Sequence, residues 1–247
     1  MVKYRQGDIM KIVIVRHAEP DYLNDTLTEK GWKEAKLLSK RLCKIENPVF
    51  YCSPLGRAKD TASLTLKETG KTAQELDWLH EFKGKVRKGL KVTSCWDRLP
   101  REWTNDLRYY SNEQWLETGL MKSLNVKKEY EKVCRGIDEL LKQHGYEHKG
   151  NVYRVNNSNH DTIVLFCHFA VESVILSHIF SCSPMVLWHN FVALPSSVTT
   201  LVTEERENGT AVFRCLQYGD ISHLYAGNEP ASFAARFCEC YDDDTRH

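Results

Sequence analysis

The chain has 247 residues, 42% of them apolar, which is enough for a substantial hydrophobic core in one large domain or two small ones. Its formal net charge of +1 gives the whole molecule no excess charge for binding nucleic acid or an anionic membrane. Nine cysteines without dense spacing are typical of a reducing compartment and argue against a disulfide-rich secreted domain. We therefore expect a soluble cytoplasmic protein.

The two ends of the chain carry few signals. Residues 1–9 are predicted to be a loose extension before a strand that begins near Met10. The apolar run there is short and is interrupted by Lys11, so it does not have the character of a signal peptide. Cys238 and Cys240 form a C-x-C pair, but no second motif accompanies them, so we do not predict a metal site there.

Strands and helices alternate along the rest of the chain. Short β-branched runs predict buried strands, and apolar residues at helical spacing predict amphipathic helices. Thr28 is expected to cap the first helix, Ser53 and Pro54 to start the second, and Gly70 to end it. The predicted order is strand 11–15, helix 28–44, strand 48–52, helix 53–70, helix 122–144, strand 163–167, helix 170–180, and strands 198–203 and 210–218.

This alternation predicts an α/β fold, a three-layer α/β/α sandwich with a mostly parallel central sheet. The most apolar run, residues 162–180, contains His168, Glu172 and His178, so it predicts a buried strand and helix rather than a membrane span. Residues 82–120 break the alternation. We expect the whole chain, residues 1–247, to form one domain in which this segment is inserted as a lid over the pocket.

Polar residues fall at equivalent places after three of the predicted strands. Arg16 and His17 follow the first strand, Arg57 lies one turn into the helix after the second, and His168 follows the third. In an open parallel sheet, ligands bind beyond the carboxyl ends of the strands. The sequence therefore predicts that two arginines and two histidines meet at one edge of the sheet.

The chemistry of these residue types points to phosphate. Two guanidinium groups form a natural clamp for a phosphate dianion, because each offers paired N–H donors to its oxygens. An imidazole inside such a clamp can be neutral near pH 7 and nucleophilic. The sequence has no Gly-rich phosphate loop and no carboxylate cluster for Mg²⁺, so we predict a phosphoryl-transfer site that works without a metal or another cofactor.

Six blocks of the sequence match a known family in the order in which that family has them. They are VRHAEPDYLNDTLTEKGWKEA, YCSPLGRAKDTA, LHEFKGK, LFCHFAVESVIL, LPSSVTTL and YGDISHL. Over roughly residues 10–225 the sequence resembles the histidine phosphatase superfamily, which also contains the cofactor-dependent phosphoglycerate mutases. The resemblance implies a phosphoglycerate mutase-like fold and a phosphoric monoester hydrolase.

The resemblance also implies roles for individual residues. His17 becomes the nucleophile and forms a phosphohistidine, and Glu81 becomes the proton donor to the leaving oxygen. His168 completes the catalytic set. The phosphoryl oxygens are then held by His168 together with Arg16, Arg57 and, as a further contact, Asn24.

The chain departs from the family pattern at three places. Ala18 stands where Gly is commoner, and Lys83, Gly84 and Lys85 replace the usual continuation after Glu81. Phe169 follows His168 where glycines are frequent. This bulkier side chain either narrows the pocket or packs into the core.

Three functions remain open at this stage. We favour a metal-independent phosphomonoesterase that acts on a small phosphorylated metabolite. The first alternative is a phosphoglycerate mutase, which returns the phosphoryl group to a sugar acid instead of water. The second is a protein of the same fold that binds a phosphorylated ligand without turnover. The expected partner is a small phosphate ester, although phosphoproteins stay among the candidate substrates. We expect no role for nucleic acid or membrane, and no signal indicates an oligomeric state.

Several residues have two open interpretations. Glu172 either bonds an active-site partner or lies on a helix surface. The basic residues within 83–91 form either an electropositive rim or a solvated hairpin. Four histidines lack any visible partner and are expected to be structural, and three tryptophans of the insertion are expected to pack. They are His144, His148, His160 and His178, and Trp96, Trp103 and Trp115.

Overall fold

The computed structural model describes residues 10–234, so the predictions for residues 1–9 and for Cys238 and Cys240 lie outside the described residues. Its strands are β1 (Lys11–Arg16), β2 (Pro20–Asp21), β3 (Thr26–Leu27), β4 (Val49–Cys52), β5 (Ala73–Glu75), β6 (Lys85–Lys88), β7 (Lys91–Ser94), β8 (Tyr146–Lys149), β9 (Val152–Val155), β10 (Thr162–Cys167), β11 (Val198–Glu207) and β12 (Thr210–Asp220). Its α-helices are α1 (Glu29–Leu42), α2 (Gly56–Thr69), α3 (Val126–Gln143), α4 (Phe169–Ile179), α5 (Pro184–Asn190) and α6 (Ser222–Ala226).

An eight-stranded sheet in the order β5-β4-β10-β1-β11-β12-β9-β8 forms the centre of the fold. The first four strands run parallel, as the alternation of strands and helices predicts. The other four add antiparallel pairings, so the sheet as a whole is mixed. Two of these pairings, β8–β9 and β11–β12, are antiparallel because a two-residue turn joins the strands of each pair. Gly150 and Gly209 lie in these turns at positive φ. The predicted α/β fold is confirmed.

The two faces of the sheet are buried by different helices. Along β1, Ile12 and Ile14 join a core cluster with α3, α4 and α5, whereas Val13 and Val15 join a second cluster with α1 and α2. Side chains of a strand alternate between its faces, so a run that is apolar at every position must be covered on both sides. This arrangement gives the predicted three layers.

Two predicted helix boundaries are confirmed. The hydroxyl of Thr28 accepts a hydrogen bond from the N–H of Gly31 at 3.0 Å and caps α1. Gly70 ends α2 with a φ of 65°, the left-handed conformation that glycine adopts most easily. The predicted start of α2 is wrong, because the helix begins at Gly56 and Ser53 does not cap it.

The inserted segment packs on the core beside α3, α4 and α5. Trp103 and Trp115 are buried in that cluster and Trp96 is partly buried against it, so the packing prediction is confirmed. The basic residues lie in the hairpin β6–β7, where Leu90 at the turn is fully exposed. The basic side chains of this hairpin are exposed, as a solvated hairpin requires. Their role as an electropositive rim and the role of the segment as a lid stay predictions. Within the described residues, no helix has both the length and the apolar character needed to cross a membrane.

Candidate active site

Three neighbouring parallel strands end at the same level and carry the site. In the sheet, Arg16 of β1 is paired with Cys167 of β10, and Phe166 of β10 is paired with Cys52 of β4. The next residues, His17, His168 and Ser53, therefore follow strands that end side by side. The ring centroids of His17 and His168 lie 5.1 Å apart. The predicted meeting of these strand ends is confirmed by the structure.

His17 is buried, with 1% of its surface exposed, and one of its ring nitrogens is fixed. Its Nδ1 lies 2.8 Å from the carbonyl oxygen of Ala18 and must donate to it. Burial and the charges of Arg16 and Arg57 hold the pKa of His17 well below its usual range. The ring is therefore neutral near pH 7, and because Nδ1 carries the proton, Nε2 has the free lone pair that a nucleophile needs.

His168 is the second buried imidazole of the site. Burial, followed by the neighbouring His17 and the two arginines, holds its pKa well below the usual range. Its Nε2 lies 2.8 Å from the hydroxyl of Ser53. Ser53 lies ahead of the helix rather than at its cap: its hydroxyl bonds His168, 115 positions away, and also accepts from the N–H of Leu55 at 3.3 Å. The N–H of Ser53 continues the sheet by donating to the carbonyl of Phe166.

Arg16 is a fixed, buried cation, with 2% of its surface exposed. Its guanidinium donates to the carbonyl of Ala193 and lies 5.6 Å above the ring of Phe169. Burial lowers the pKa of Arg16, but a guanidinium stays protonated near pH 7. Phe169 is itself buried, so the open question about this side chain is answered by packing against the core and Arg16.

Arg57 lies at the first turn of α2 and contacts the loop between β1 and α1. It donates to Oδ1 of Asp25 at 2.6 Å and lies 5.4 Å above the ring of Tyr22. The N–H of Gly56 donates to the other oxygen of Asp25, and a side chain at Gly56 would clash with the Asp25 backbone. The charge of Arg57 also lowers the pKa of His17, so this second cation belongs to the same site.

Asn24 lies in that loop but is turned to another partner. It is exposed, and its side-chain amide donates to Oδ2 of Asp21 at 2.7 Å. Asp21 also accepts from the backbone N–H of Asn24 and Leu23, which closes a tight polar turn. The predicted phosphate contact of Asn24 stays a prediction.

Glu81 follows a short 3-10 turn, Asp77–Leu79, and lies near enough to Arg16 and Arg57 for their charges to act on its carboxyl group. One carboxyl oxygen accepts from the N–H of Phe82 at 2.8 Å. Burial raises the pKa of Glu81, while the bond from Phe82 and the charges of Arg16 and Arg57 oppose that increase. A carboxyl with a raised pKa beside a phosphate-binding clamp is suited to donate a proton.

Glu172 also belongs to this region, and the alternative that it lies on a helix surface is wrong. α4 is buried on nearly every side, so Glu172 is 1% exposed. Burial raises the pKa of Glu172 to about 7. The hydrogen bond from the hydroxyl of Thr199 and the charge of Arg16 have the opposite, smaller effect and lower this pKa. Tyr218 lies close to both groups, because Glu172 raises the pKa of the Tyr218 hydroxyl and Arg16 lowers it. The carboxyl group is thus a buried neighbour of Arg16.

Several neighbours of the site were not predicted. Asp25, Tyr22 and Thr199 lie within the blocks of family resemblance, but their contacts are with distant segments and no role was predicted for them. Ser196 has a φ of 60°, and its N–H donates to the carbonyl of His17. Tyr218 and Ser196 both lie in blocks of family resemblance, which is the signal that could have indicated them.

A buried carboxyl group fixes the loop that follows His17. Glu34 of α1 is fully buried and accepts from the N–H of Glu19 at 2.9 Å. Lys30 lies 3.9 Å from its other oxygen. Burial nevertheless raises the pKa of Glu34 from 4.5 to about 7. At higher pH the folded protein therefore contains a buried negative charge, which lowers its stability.

We predict that this carboxyl group makes the stability of the protein pH-dependent. Because its pKa is higher in the folded state, the folded state binds more protons between pH 4.5 and about 7, and the free energy of unfolding falls as the pH rises through that interval. Glu34→Gln should remove about 2 to 4 kcal/mol of that decrease. Urea unfolding at pH 5 and pH 7.5 measures it.

The control is Glu29→Gln, which changes an exposed carboxyl on the same helix. Glu29→Gln should leave unchanged the decrease in the free energy of unfolding that is due to Glu34. The share due to Glu172, whose pKa is raised in the same sense, should remain in both variants. An unchanged pH dependence in Glu34→Gln would show that this carboxyl is not the source.

Comparisons with known proteins agree with this arrangement. The family model described as the histidine phosphatase superfamily (branch 1) matches residues 12–215. Phosphoserine phosphatase 1 of Hydrogenobacter thermophilus is 28% identical over 110 residues, which cover 40% of this chain and 52% of that protein. The chain thus matches about half the length of this curated relative.

Solved structures show the same fold. A phosphoserine phosphatase from Entamoeba histolytica, solved in complex with phosphoserine, superimposes with a TM-score of 0.54 at 19% identity and covers 87% of this chain and 99% of that chain. A mycobacterial glucosyl-3-phosphoglycerate phosphatase superimposes with a TM-score of 0.55 at 16% identity, and the match covers 85% of this chain and 99% of that chain. At such identities the similarity establishes the architecture.

Proposed function

The chain belongs to the histidine phosphatase superfamily, and on that premise we propose that it is a metal-independent phosphomonoesterase acting through a phosphohistidine at His17. One observation carries the proposal. The rings of His17 and His168 lie 5.1 Å apart, and the charges of Arg16 and Arg57 act on both. Nδ1 of His17 is held by the Ala18 carbonyl, so the lone pair is on Nε2.

The proposed reaction has two displacements. Nε2 of His17 attacks phosphorus, the bond from phosphorus to the ester oxygen breaks, and Glu81 gives its proton to the leaving oxygen. Arg16 and Arg57 neutralise the charge of the phosphoryl oxygens, which is the main requirement of phosphoryl transfer. Glu81 then takes a proton from water as the water attacks the phosphohistidine, and inorganic phosphate leaves.

The proposed substrate is a small phosphorylated metabolite. Phosphoserine is the first compound to test, because two relatives are named as phosphoserine phosphatases. The inserted segment supports a role in substrate choice, since it begins directly after Glu81 and its Trp96 indole donates to the carbonyl of Phe82 at 3.2 Å. The cytoplasmic location stays a prediction. The seven cysteines among residues 10–234 are free thiols, which supports a reducing compartment.

A substrate panel tests the proposal. Purified protein is incubated with phosphoserine, 3-phosphoglycerate, sugar phosphates, nucleotides and p-nitrophenyl phosphate in the presence of a chelator, and inorganic phosphate is measured. We expect phosphate release from at least one compound at more than ten times the rate of interconversion of 2- and 3-phosphoglycerate. Faster interconversion would favour a mutase. Saturable binding of these compounds without phosphate release would favour a non-catalytic ligand-binding protein.

A further inference from the structure

Away from the phosphate site, three side chains from three elements converge. Asp138 lies on α3, His148 on β8 and His178 near the end of α4. Oδ1 of Asp138 lies 2.8 Å from Nε2 of His178 and 3.3 Å from Nδ1 of His148. The candidate ligand atoms all lie within 4.8 Å of one another. We propose that Asp138, His148 and His178 form a binding site for a zinc ion.

The distances suit this ion. Zinc binds imidazole nitrogen and carboxylate oxygen at about 2.0 to 2.2 Å in tetrahedral sites, which places neighbouring ligand atoms about 3.3 Å apart. The distances from the carboxylate to the two nitrogens are close to this value before any adjustment. Two nitrogens and one oxygen favour zinc over the harder cations calcium and magnesium, which prefer oxygen ligands.

The cluster is reachable from solvent. The exposed fractions of the side chains are 32% for Asp138, 21% for His148 and 15% for His178. An ion can therefore enter without unfolding of the surrounding elements. Three protein ligands leave the fourth tetrahedral position for water.

A buried hydroxyl provides a second observation. Tyr153 is 1% exposed, its ring stacks on His148 with centroids 5.0 Å apart, and its hydroxyl has no hydrogen-bond partner among the described residues. Buried hydroxyl groups normally have a partner, so a hydrated ion in this cluster would satisfy a group that the protein alone does not.

His144 differs from the two histidines of the proposed zinc site in how its ring nitrogens are used. His144 also faces a carboxylate, with Nδ1 2.7 Å from Asp161, and its Nε2 bonds the hydroxyl of Tyr51. That imidazole uses both ring nitrogens on separate partners. In the proposed zinc site, two imidazoles instead direct a nitrogen to one and the same carboxylate oxygen, which is the convergence that a metal ion requires.

The proposed zinc site is separate from the candidate active site. His178 and His168 lie at opposite ends of α4, ten residues and therefore about 15 Å apart along the helix. The three ligands join α3, α4 and β8, the last strand of the sheet. We therefore assign the ion a structural role in fastening this edge of the sheet to the helices, and the prediction that catalysis needs no metal is unaffected.

Zinc titration of the full-length, tag-free protein tests the proposal. Because thiols also bind zinc, the experiment uses a background in which Cys238 and Cys240 are changed to Ser. The protein is stripped with a chelator and titrated with zinc against a chromophoric competitor. We expect one equivalent of bound zinc, and an affinity at least about 100-fold lower in His148→Ala and in His178→Ala. His144→Ala is the matched control and should bind zinc as the parent does.

Two further readouts keep the result interpretable if a variant is destabilised. His148→Gln changes a residue on an edge strand, and circular dichroism checks that it is folded. Zinc should raise the unfolding temperature of the parent and of His144→Ala but not of His148→Gln. Cobalt should give the visible absorption of a tetrahedral site in the same two proteins only. If His148→Ala and His178→Ala bind zinc as tightly as His144→Ala, or if the parent binds none, the proposal is wrong.

Discussion

His17→Ala should abolish the phosphoenzyme and lower kcat for p-nitrophenyl phosphate by at least about 10⁴-fold. The reason is that Nδ1 of His17 is fixed on the Ala18 carbonyl, which leaves the lone pair on Nε2, and that burial and Arg16 keep the ring neutral. The variant keeps both arginines, so it should still bind phosphate. Rapid quenching with ³²P-labelled substrate measures the covalent intermediate directly.

The control for this experiment is His144→Ala, which removes a histidine outside the site. It should form the labelled intermediate like the parent. The label should survive alkali and be lost in acid, as expected for phosphohistidine and not for a phosphorylated serine such as Ser53. A labelled, acid-sensitive intermediate in folded His17→Ala would show that another residue is the nucleophile, and His168 would be the next residue to test.

Glu81→Gln should slow the enzyme in a way that depends on the leaving group. Phosphoserine has a poor leaving group that needs a proton, so its kcat/KM should fall by about 10²- to 10⁴-fold. p-Nitrophenolate leaves without protonation, so kcat/KM for p-nitrophenyl phosphate should fall by less than about tenfold. The amide keeps the shape of Glu81 but has no proton to transfer near neutral pH.

The measurement uses kcat/KM because this constant reports only the steps up to formation of the phosphoenzyme. In the proposed mechanism Glu81 also assists the later attack of water, so the variant should accumulate the intermediate and show a burst of p-nitrophenolate. Glu75→Gln, which changes an exposed carboxyl on β5, should behave as the parent with both substrates. Equal losses of kcat/KM for the two substrates would show that Glu81 does not act as the proton donor.

Much of the site could be predicted because its main signals are local. A fully apolar strand that ends in Arg16 and His17 has to be buried, and parallel strands bring their carboxyl ends to one edge. The same rule placed His168 beside His17 correctly. Periodicity and a capping residue were enough to locate α1, with Thr28 at its start.

The remainder depended on contacts between distant segments. Ser53 followed by Pro54 has the composition of a helix start, yet the hydroxyl is engaged with His168, which no local pattern could indicate. Glu172 was ambiguous because a helix that is buried on nearly every side has no polar face to reveal its orientation. His148 and His178 had no visible partner because Asp138 reaches them from a third element.

The lengths of the outermost strands have a consequence for self-association. The sheet ends in β5, with three residues, and β8, with four, and β8 carries Glu147 and Lys149 at its edge. Short, charged edges oppose the addition of a strand from another molecule, which is the usual route to amyloid-like aggregates. Contacts between copies of this protein should therefore use helical surfaces, and the sheet should not continue from one molecule into the next.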